Sequence, residues 1–381
     1  TRLVSDWSSD VCSSDLEPAA VPCLVNLGNV LKERGEPAQA EKHYRRALAT
    51  APERPEIGLN LGMALLQQGR FAEGWRAYEN RLRQADWPHR RDCPQPEWTG
   101  GALAGRTILI HAEQGLGDTL QFVRYLPHLR RRGARVIFEP QRSLAPLLKT
   151  LAGVDALVPR GDPPPGFDVH APLLSLPCRL GSPLPASADV PYLTADPQRL
   201  ATQRRRLADR PGFKIGVAWQ GNPEGLADRG RSFPARLFAP LARSPGVRLH
   251  CLQRIHGLEQ LADWPDDAPL ADADLPVDID GAFVDTAAII CGLDLVITSD
   301  SALAHLAGAM GRPVWVVLQA APEWRYQLGR TDSPWYPTMR LFRQSRPGDW
   351  ESAFAAVAAA LSERLATTDV CDVAHRASGR A

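Results

Sequence analysis

The sequence predicts an α/β protein of two Rossmann-like lobes with parallel sheets, preceded by an all-α repeat segment. Three observations carry this expectation. A stretch near the start repeats itself with a period of 34 residues. Beyond Gly105, short apolar runs alternate with helical ones, and a proline-rich stretch from Gly181 to Pro197 divides that alternation in two. A fixed period marks stacked supersecondary units, and strands alternating with helical patterns imply crossover helices on a parallel sheet.

Composition narrows the class. The chain has 381 residues, 44% apolar and 23% charged, enough for well-formed cores and ordinary for a globular protein. A net charge of +1 supplies no field toward nucleic acid or an acidic membrane. Only four of the 44 basic residues are lysine (Lys32, Lys42, Lys149, Lys214), a bias read as GC-rich coding rather than an RNA-binding device. The seven cysteines (Cys12, Cys23, Cys93, Cys178, Cys251, Cys291, Cys371) are odd in number and form no C-x-x-C pair, so no zinc site is expected. With no signal peptide pattern and no apolar run of the roughly 18 residues a bilayer span needs, the chain is expected to be cytoplasmic, peripheral to the inner membrane at most. Residues 1–20 begin TRLVSDWSSDVCSSD, an echo of S-D and S-S-D with no helix or strand period; they are expected to be a non-native or disordered leader.

In residues 21–85, NLGNVLKERGEPAQAEKHYRRAL from Asn26 aligns with NLGMALLQQGRFAEGWRAYENRL from Asn60. Asn26, Leu27 and Gly28 recur as Asn60, Leu61 and Gly62; Leu31 recurs as Leu65, Gly35 as Gly69 and Tyr44 as Tyr78. Ala40 becomes Gly74 and Ala47 becomes Arg81, so the second copy is weaker toward its end. This pattern of small and large residues resembles the tetratricopeptide repeat. Two copies are fewer than such arrays need, which implies a truncated array or one resting on the next domain. The segment is either a spacer or a groove for a protein partner.

Residues 86–105 lose periodicity and fill with proline, tryptophan and glycine, a linker. The first lobe, 106–210, reads as strand Thr107–Ile110, helix Thr119–Arg131, strand Arg135–Glu139 and helix Leu144–Leu151, with shorter strands near Ala156 and Phe167. The second lobe, 211–345, reads as strand Phe213–Trp219, helix Pro234–Arg243, strand Val247–Leu252, helix Asp285–Cys291, strand Leu293–Thr298, helix Ser301–Met310 and strand Pro313–Leu318. A helix follows in 346–366 (Trp350 to Leu365), then an aperiodic tail, 367–381, expected to be disordered.

Ligands of such sheets sit at the carboxyl ends of the strands. Two strand-to-helix turns there carry chemistry. In the first lobe, Gly115-Leu116-Gly117-Asp118 permits close backbone approach, with Asp118 either a helix cap or a carboxylate able to take a proton. In the second, a buried strand ends at Ser299-Asp300-Ser301 and a helix starts, presenting unpaired N–H groups and a positive dipole end suited to a diphosphate. Ser301 adds a hydroxyl, Asp300 can accept from sugar hydroxyls, and His305 lies one turn further on; capping by Asp300 or Ser301 is the structural alternative.

The run Asp300-Ser301-x-x-x-His305-Leu-Ala-Gly-Ala-Met-Gly-x-Pro313, following a G-x-G-D turn in the preceding lobe, resembles the donor motif of glycosyltransferase family 9, the heptosyltransferase-like enzymes of GT-B fold. Within that family the chain resembles bacterial proteins that fuse tetratricopeptide repeats to the transferase, an arrangement also similar to protein O-GlcNAc transferases. The resemblance spans about Leu24 to Leu365. It implies a metal-independent, inverting transfer of a sugar from a nucleotide-diphosphate-sugar donor to a saccharide, glycolipid or protein hydroxyl. It also implies Asp118 as catalytic base, with Gly115 and Gly117 forming the active-site turn. On the donor side it implies Arg231 on the diphosphate, with Arg229 as fallback, beside Asn222 and Ser232 in the loop WQGNPEGLADRGRSFP; Gln253 on the nucleotide base; and Asp300, Ser301 and His305. Glu323-Trp324-Arg325 either closes over the donor or packs Trp324 in a surface turn. The alternative function is a non-catalytic tetratricopeptide scaffold with a degenerate transferase domain.

Three rivals have less support. A dinucleotide reading of Gly115-x-Gly117, with Glu139 as its acidic partner, lacks the third glycine because Leu120 stands there. His250, Cys251 and His256 lack a fourth zinc ligand. His111 and His128 read as fold or surface histidines.

Overall fold

A computed structural model describes residues 20–181, 190–208, 210–223, 230–272 and 277–378. The chain divides into two compact units, one comprising the N-terminal region through Arg90 together with Glu323–Leu328, the other comprising Arg91–Pro322 and Gly329–Ala381.

The first unit holds two helical hairpins, α1 (Ala20–Glu33) with α2 (Pro37–Thr50) and α3 (Pro55–Gln67) with α4 (Phe71–Tyr78), then a 3-10 turn at Glu79–Arg83. The repeated glycines explain the close approach of each pair. A Cβ on Gly28 would stand 2.5 Å from the Tyr44 ring, and one on Gly62 would stand 2.7 Å from the backbone nitrogen of Tyr78. Val21, Leu24, Ala40, Tyr44, Ala47, Ile57, Leu61 and Leu65 form one core. The second copy weakens where Ala47 becomes Arg81. That side chain is buried against the Tyr78 ring, 4.8 Å from its centroid, and donates to Glu79. The Glu323-Trp324-Arg325 segment belongs to this unit, with Trp324 edge-on to Trp75 at 5.2 Å and Arg325 over the Trp324 ring at 4.2 Å. It therefore packs on the repeats, the surface-turn alternative of the sequence reading.

The second unit contains two parallel sheets. In the first lobe the order is β3-β2-β1-β4, from β1 (Thr107–His111), β2 (Arg135–Glu139), β3 (Ala156–Leu157) and β4 (Val169–Pro172). In the second the order is β10-β9-β8-β5-β6-β7, from β5 (Phe213–Ala218), β6 (Val247–Cys251), β7 (Leu270–Ala271), β8 (Leu295–Ser299), β9 (Val314–Leu318) and β10 (Met339–Arg343). The predicted class, an all-α repeat segment with two Rossmann-like lobes, is the observed one. The second-lobe core gathers Ile215, Val217, Ile297 and Val317 from the sheet with Phe233, Phe238 and Phe354, whose rings lie 5.1–5.7 Å apart.

Several elements differ from expectation. The helix expected at Thr119–Arg131 starts earlier and is broken into α5 (Leu116–Phe122), a 3-10 turn at Val123–Tyr125 and α6 (Leu126–Arg131), where Pro127 sits in the first turn of α6. No α-helix forms over Leu144–Leu151: a 3-10 turn ends at Leu144 and turns follow. Pro146 offers no N–H to the turns that follow, while Leu144, Leu147 and Leu148 still reach the core. The 86–105 stretch is not a plain tether. Trp98 is buried and donates its backbone N–H to His170 O at 2.7 Å, and His170 N donates to Pro96 O at 3.2 Å, extending the sheet beside β4. Two helices, α7 (Leu176–Arg179) and α8 (Pro197–Ala208), precede the second lobe, where the expected helix at Pro234–Arg243 is a 3-10 turn (Ala235–Phe238) followed by α9 (Ala239–Ala242), with α10 (Val284–Cys291) and α11 (Ala302–Ala309) beyond. The last helix, α12, runs Trp350–Ser378 and so enters the stretch expected to be disordered. The leader expected in residues 1–20 lies, but for Ala20, outside the described residues.

Candidate functional site

The first-lobe turn is built by an abrupt change from strand to helix. After β1, Gln114 adopts φ 60°, a left-handed conformation that few non-glycine residues hold, and Gly115 then begins α5. Gln141 ties the turn down: its amide donates to Gln114 O at 3.2 Å, and its carbonyl oxygen accepts from the Thr119 hydroxyl at 2.8 Å. Asp118 is half-buried, and its Oδ2 accepts from the Gly115 backbone N–H at 2.9 Å. The cap is therefore present. Glu113, fully buried at the end of β1, accepts from Leu174 N at 3.2 Å; it lies outside any motif and was missed in the sequence.

The second-lobe turn follows β8. Ser301 is extended, with φ −149°, and precedes α11 (Ala302–Ala309); its Oγ lies 3.1 Å from Thr298 Oγ1. His305 is buried, and its Nδ1 is 3.0 Å from the Tyr336 hydroxyl. The two turns meet. A Cβ on Gly117 would stand 3.0 Å from His305 Cδ2 and 3.4 Å from Ala302 Cα. Gly117 has no positive φ to explain it, so the glycine is there for this approach. The structure thus brings Gly117 against His305 and Ala302, residues nearly two hundred positions away along the chain.

The loop after β5 is only partly described, and Arg229 lies outside the described residues. Asn222 is exposed, Arg231 is half-buried, and the Ser232 hydroxyl accepts from Gly221 N at 3.1 Å. Ser232 also lines a cavity of about 410 Å³ with Arg236, Gln260 and Asp263.

Gln253 requires a correction. Its Oε1 accepts from Trp219 N and Gln220 N at 2.9 and 3.0 Å, and its Nε2 donates to Gln220 O and His256 O at 2.9 and 2.7 Å. Two lone pairs and two protons are the full capacity of a side-chain amide. Gln253 is 4% exposed and has nothing left for a base, so it buttresses the loops after β5 and β6.

The rival motifs find structural roles. His250 is fully buried with Nδ1 2.7 Å from Asp272 Oδ2, and Arg206 and Arg210 also hold that carboxylate. Glu139 is paired with Arg91 at 2.7 Å, while burial pushes its pKa up against the neighbouring arginines. His111 is buried beside His170, and burial, aided by that ring and nearby arginines, lowers its pKa to about 3. Among the described residues no group of three or more His, Cys, Asp or Glu side chains is placed to hold a metal, and no helix is long and apolar enough to cross a membrane.

Fold and turns define a tetratricopeptide segment joined to a two-lobe α/β unit with one motif from each lobe in contact. A profile of the tetratricopeptide repeat matches residues 25–89. The chain is 32% identical over 334 residues to Protein FlbA of Caulobacter vibrioides, covering 80% of this chain and 54% of FlbA, so it spans about half the length of that curated relative. Among solved structures it is similar to a glycosyl transferase family 9 protein from Veillonella parvula (TM-score 0.46, 12% identity, 65% of this chain and 88% of that one). It is also similar to the ADP-heptose lipopolysaccharide heptosyltransferase II of E. coli (TM-score 0.44, 14% identity, 68% and 99%).

Proposed function

We propose that the chain is a glycosyltransferase that moves a sugar from a nucleotide-diphosphate-sugar donor to an acceptor hydroxyl, with inversion and without calling on a metal. The observation that carries the reading is the contact of the Gly117 turn with the start of α11. A transfer with inversion needs a base on the acceptor side and a charge-stabilising site on the leaving group, and these two turns supply that pair. The Asp118 carboxylate accepts the acceptor proton as the acceptor oxygen attacks the anomeric carbon, and the bond from Gly115 N fixes its orientation. The leaving diphosphate rests on the N-terminal amides of α11 and the Ser301 hydroxyl. Arg231 neutralises the charge that grows there, and Asn222, Ser232, Asp300 and His305 complete the donor side. Gln253 serves the donor only by holding its loops. The acceptor is a saccharide, glycolipid or protein hydroxyl, and the repeats are a surface for a protein partner.

A thermal-shift panel of UDP, GDP, ADP and CDP with their sugar conjugates tests the donor site, because a ligand bound only by the folded state raises stability by mass action. Stabilisation by one nucleotide, diminished in Arg231→Ala, is the expected result. No shift with any of them, from folded protein, favours the scaffold alternative, for which the Asp118 cap is the supporting observation.

A further inference from the structure

Tyr336 follows no motif, yet it reaches both halves of the site. Its ring lies on α11 where Gly308 leaves room: a Cβ on Gly308 would stand 2.5 Å from Tyr336 Cγ. From that seat its hydroxyl meets His305 Nδ1 at 3.0 Å, one turn back along the helix. The glycine of the His-Leu-Ala-Gly run is therefore explained by the tyrosine that lies across it.

On its other side, Tyr336 Oη is 3.5 Å from the hydroxyl of Tyr192, which donates to Leu120 O at 2.9 Å on α5, the helix that carries Asp118. Arg124 stacks on both rings, 4.7 Å from the Tyr192 centroid and 5.4 Å from that of Tyr336, and donates to Trp335 O at 2.9 Å. Burial raises the pKa of Tyr192 despite the nearby arginine, so its hydroxyl keeps its proton. Each phenol has one proton to give. That of Tyr192 goes to the near carbonyl of Leu120, and the Tyr336 hydroxyl lies closer to His305 Nδ1, at 3.0 Å, than to the Tyr192 hydroxyl, at 3.5 Å.

The geometry points to Tyr336 as a positioning residue: by donating to Nδ1 it holds His305 in the Nε2–H tautomer, with the ring edge opposite Nδ1 set against the Gly117 turn. The phenol thereby fixes a donor N–H at the junction of the two turns and links the Asp118 helix to α11. For its catalytic consequence the inference rests on the transferase reading; the tautomer does not.

Two readouts keep the claims separate. Nitrogen-15 spectra of histidine-labelled whole chain, with His305 assigned by its loss in His305→Gln, report the tautomer directly. A single Nε2–H form in the wild type that becomes a mixture in Tyr336→Phe supports the inference. Unchanged His305 signals in Tyr336→Phe, or an Nδ1–H form in the wild type, overturn it. Gly308→Ala, which displaces the ring and leaves the hydroxyl intact, should give the same mixture and carries the test if Tyr336→Phe does not fold. In turnover assays Tyr336→Phe should lower kcat about fivefold to tenfold, the equivalent of one hydrogen bond, with donor KM within about twofold. A tautomer change in a protein that transfers no sugar even as wild type would uphold the positioning role and defeat the transferase reading.

Discussion

Gly117 and His305 are in contact: a single methyl group added to the glycine would stand 3.0 Å from Cδ2 of the imidazole. One residue lies in the first lobe and the other on the second lobe's helix, so this approach sets how closely α5 and α11 pack. Gly117→Val should separate the two turns at a cost of about 1–3 kcal/mol, and nucleotide-sugar turnover should fall further than that loss of stability explains. Urea denaturation and a turnover assay on the same preparation check it. Wild-type turnover in the variant would show that the contact is incidental.

Gln253 is a structural residue by this account. Gln253→Ala leaves two backbone N–H groups and two carbonyls without their partner, and should destabilise the chain by about 2–4 kcal/mol. Chemical denaturation measures this. A variant of wild-type stability with weakened nucleotide binding would restore Gln253 as a base contact.

The acid limb of stability should carry the signature of His111. Its folded pKa is lowered from 6.5 to about 3, chiefly by burial, so below 6.5 the unfolded chain takes up a proton that the folded one refuses. Stability contributed this way is complete above 6.5 and is lost as pH falls toward 3, at about 1.4 kcal/mol per pH unit. His111→Gln should flatten the stability profile between pH 6.5 and 4.5 by close to one proton, read from urea midpoints at each pH. An unchanged slope would place the proton uptake elsewhere.

The two repeat glycines should differ in tolerance. A Cβ on Gly28 meets the Tyr44 side chain, which can shift, whereas one on Gly62 meets the backbone of Tyr78 and Ala77 at 2.7–3.0 Å. Gly62→Ala should therefore lower stability more, by about 1–3 kcal/mol against about 1 for Gly28→Ala. Thermal melts of the two variants decide the order.

What could be read from sequence was what is local and periodic. The 34-residue shift located both hairpins, and apolar runs between glycines and aspartates located β1, β5, β8 and β9. Leu144–Leu151 misled because its leucine spacing suits a helix, whereas consecutive turns bury the same leucines and Pro146 withholds one backbone donor. Strand β10 was missed because Arg340 and Arg343 interrupt an alternation that buries Met339 and Leu341. The strand-to-helix turns that carry Asp118 and Ser301 were legible from their glycines, aspartates and serines. Gln141, Glu113 and Tyr336 act through contacts 22 to 61 residues away along the chain, and no local pattern marks such pairs. Gln253 misled for the opposite reason: an amide at a strand end looks like a ligand contact until its four partners are counted.

The central claim is that Asp118 and α11 form one transferase site, and the most direct measurement is nucleoside diphosphate release from a panel of nucleotide sugars by the wild type and Asp118→Asn. Asparagine keeps an oxygen for Gly115 N, so the cap and donor binding should survive while the base is lost. Release from one nucleotide class by the wild type is expected, with a fall of about 10²–10⁴ in the variant and nucleotide binding intact. Equal release by both proteins would remove Asp118 from the chemistry, and release by neither would leave the two lobes a scaffold.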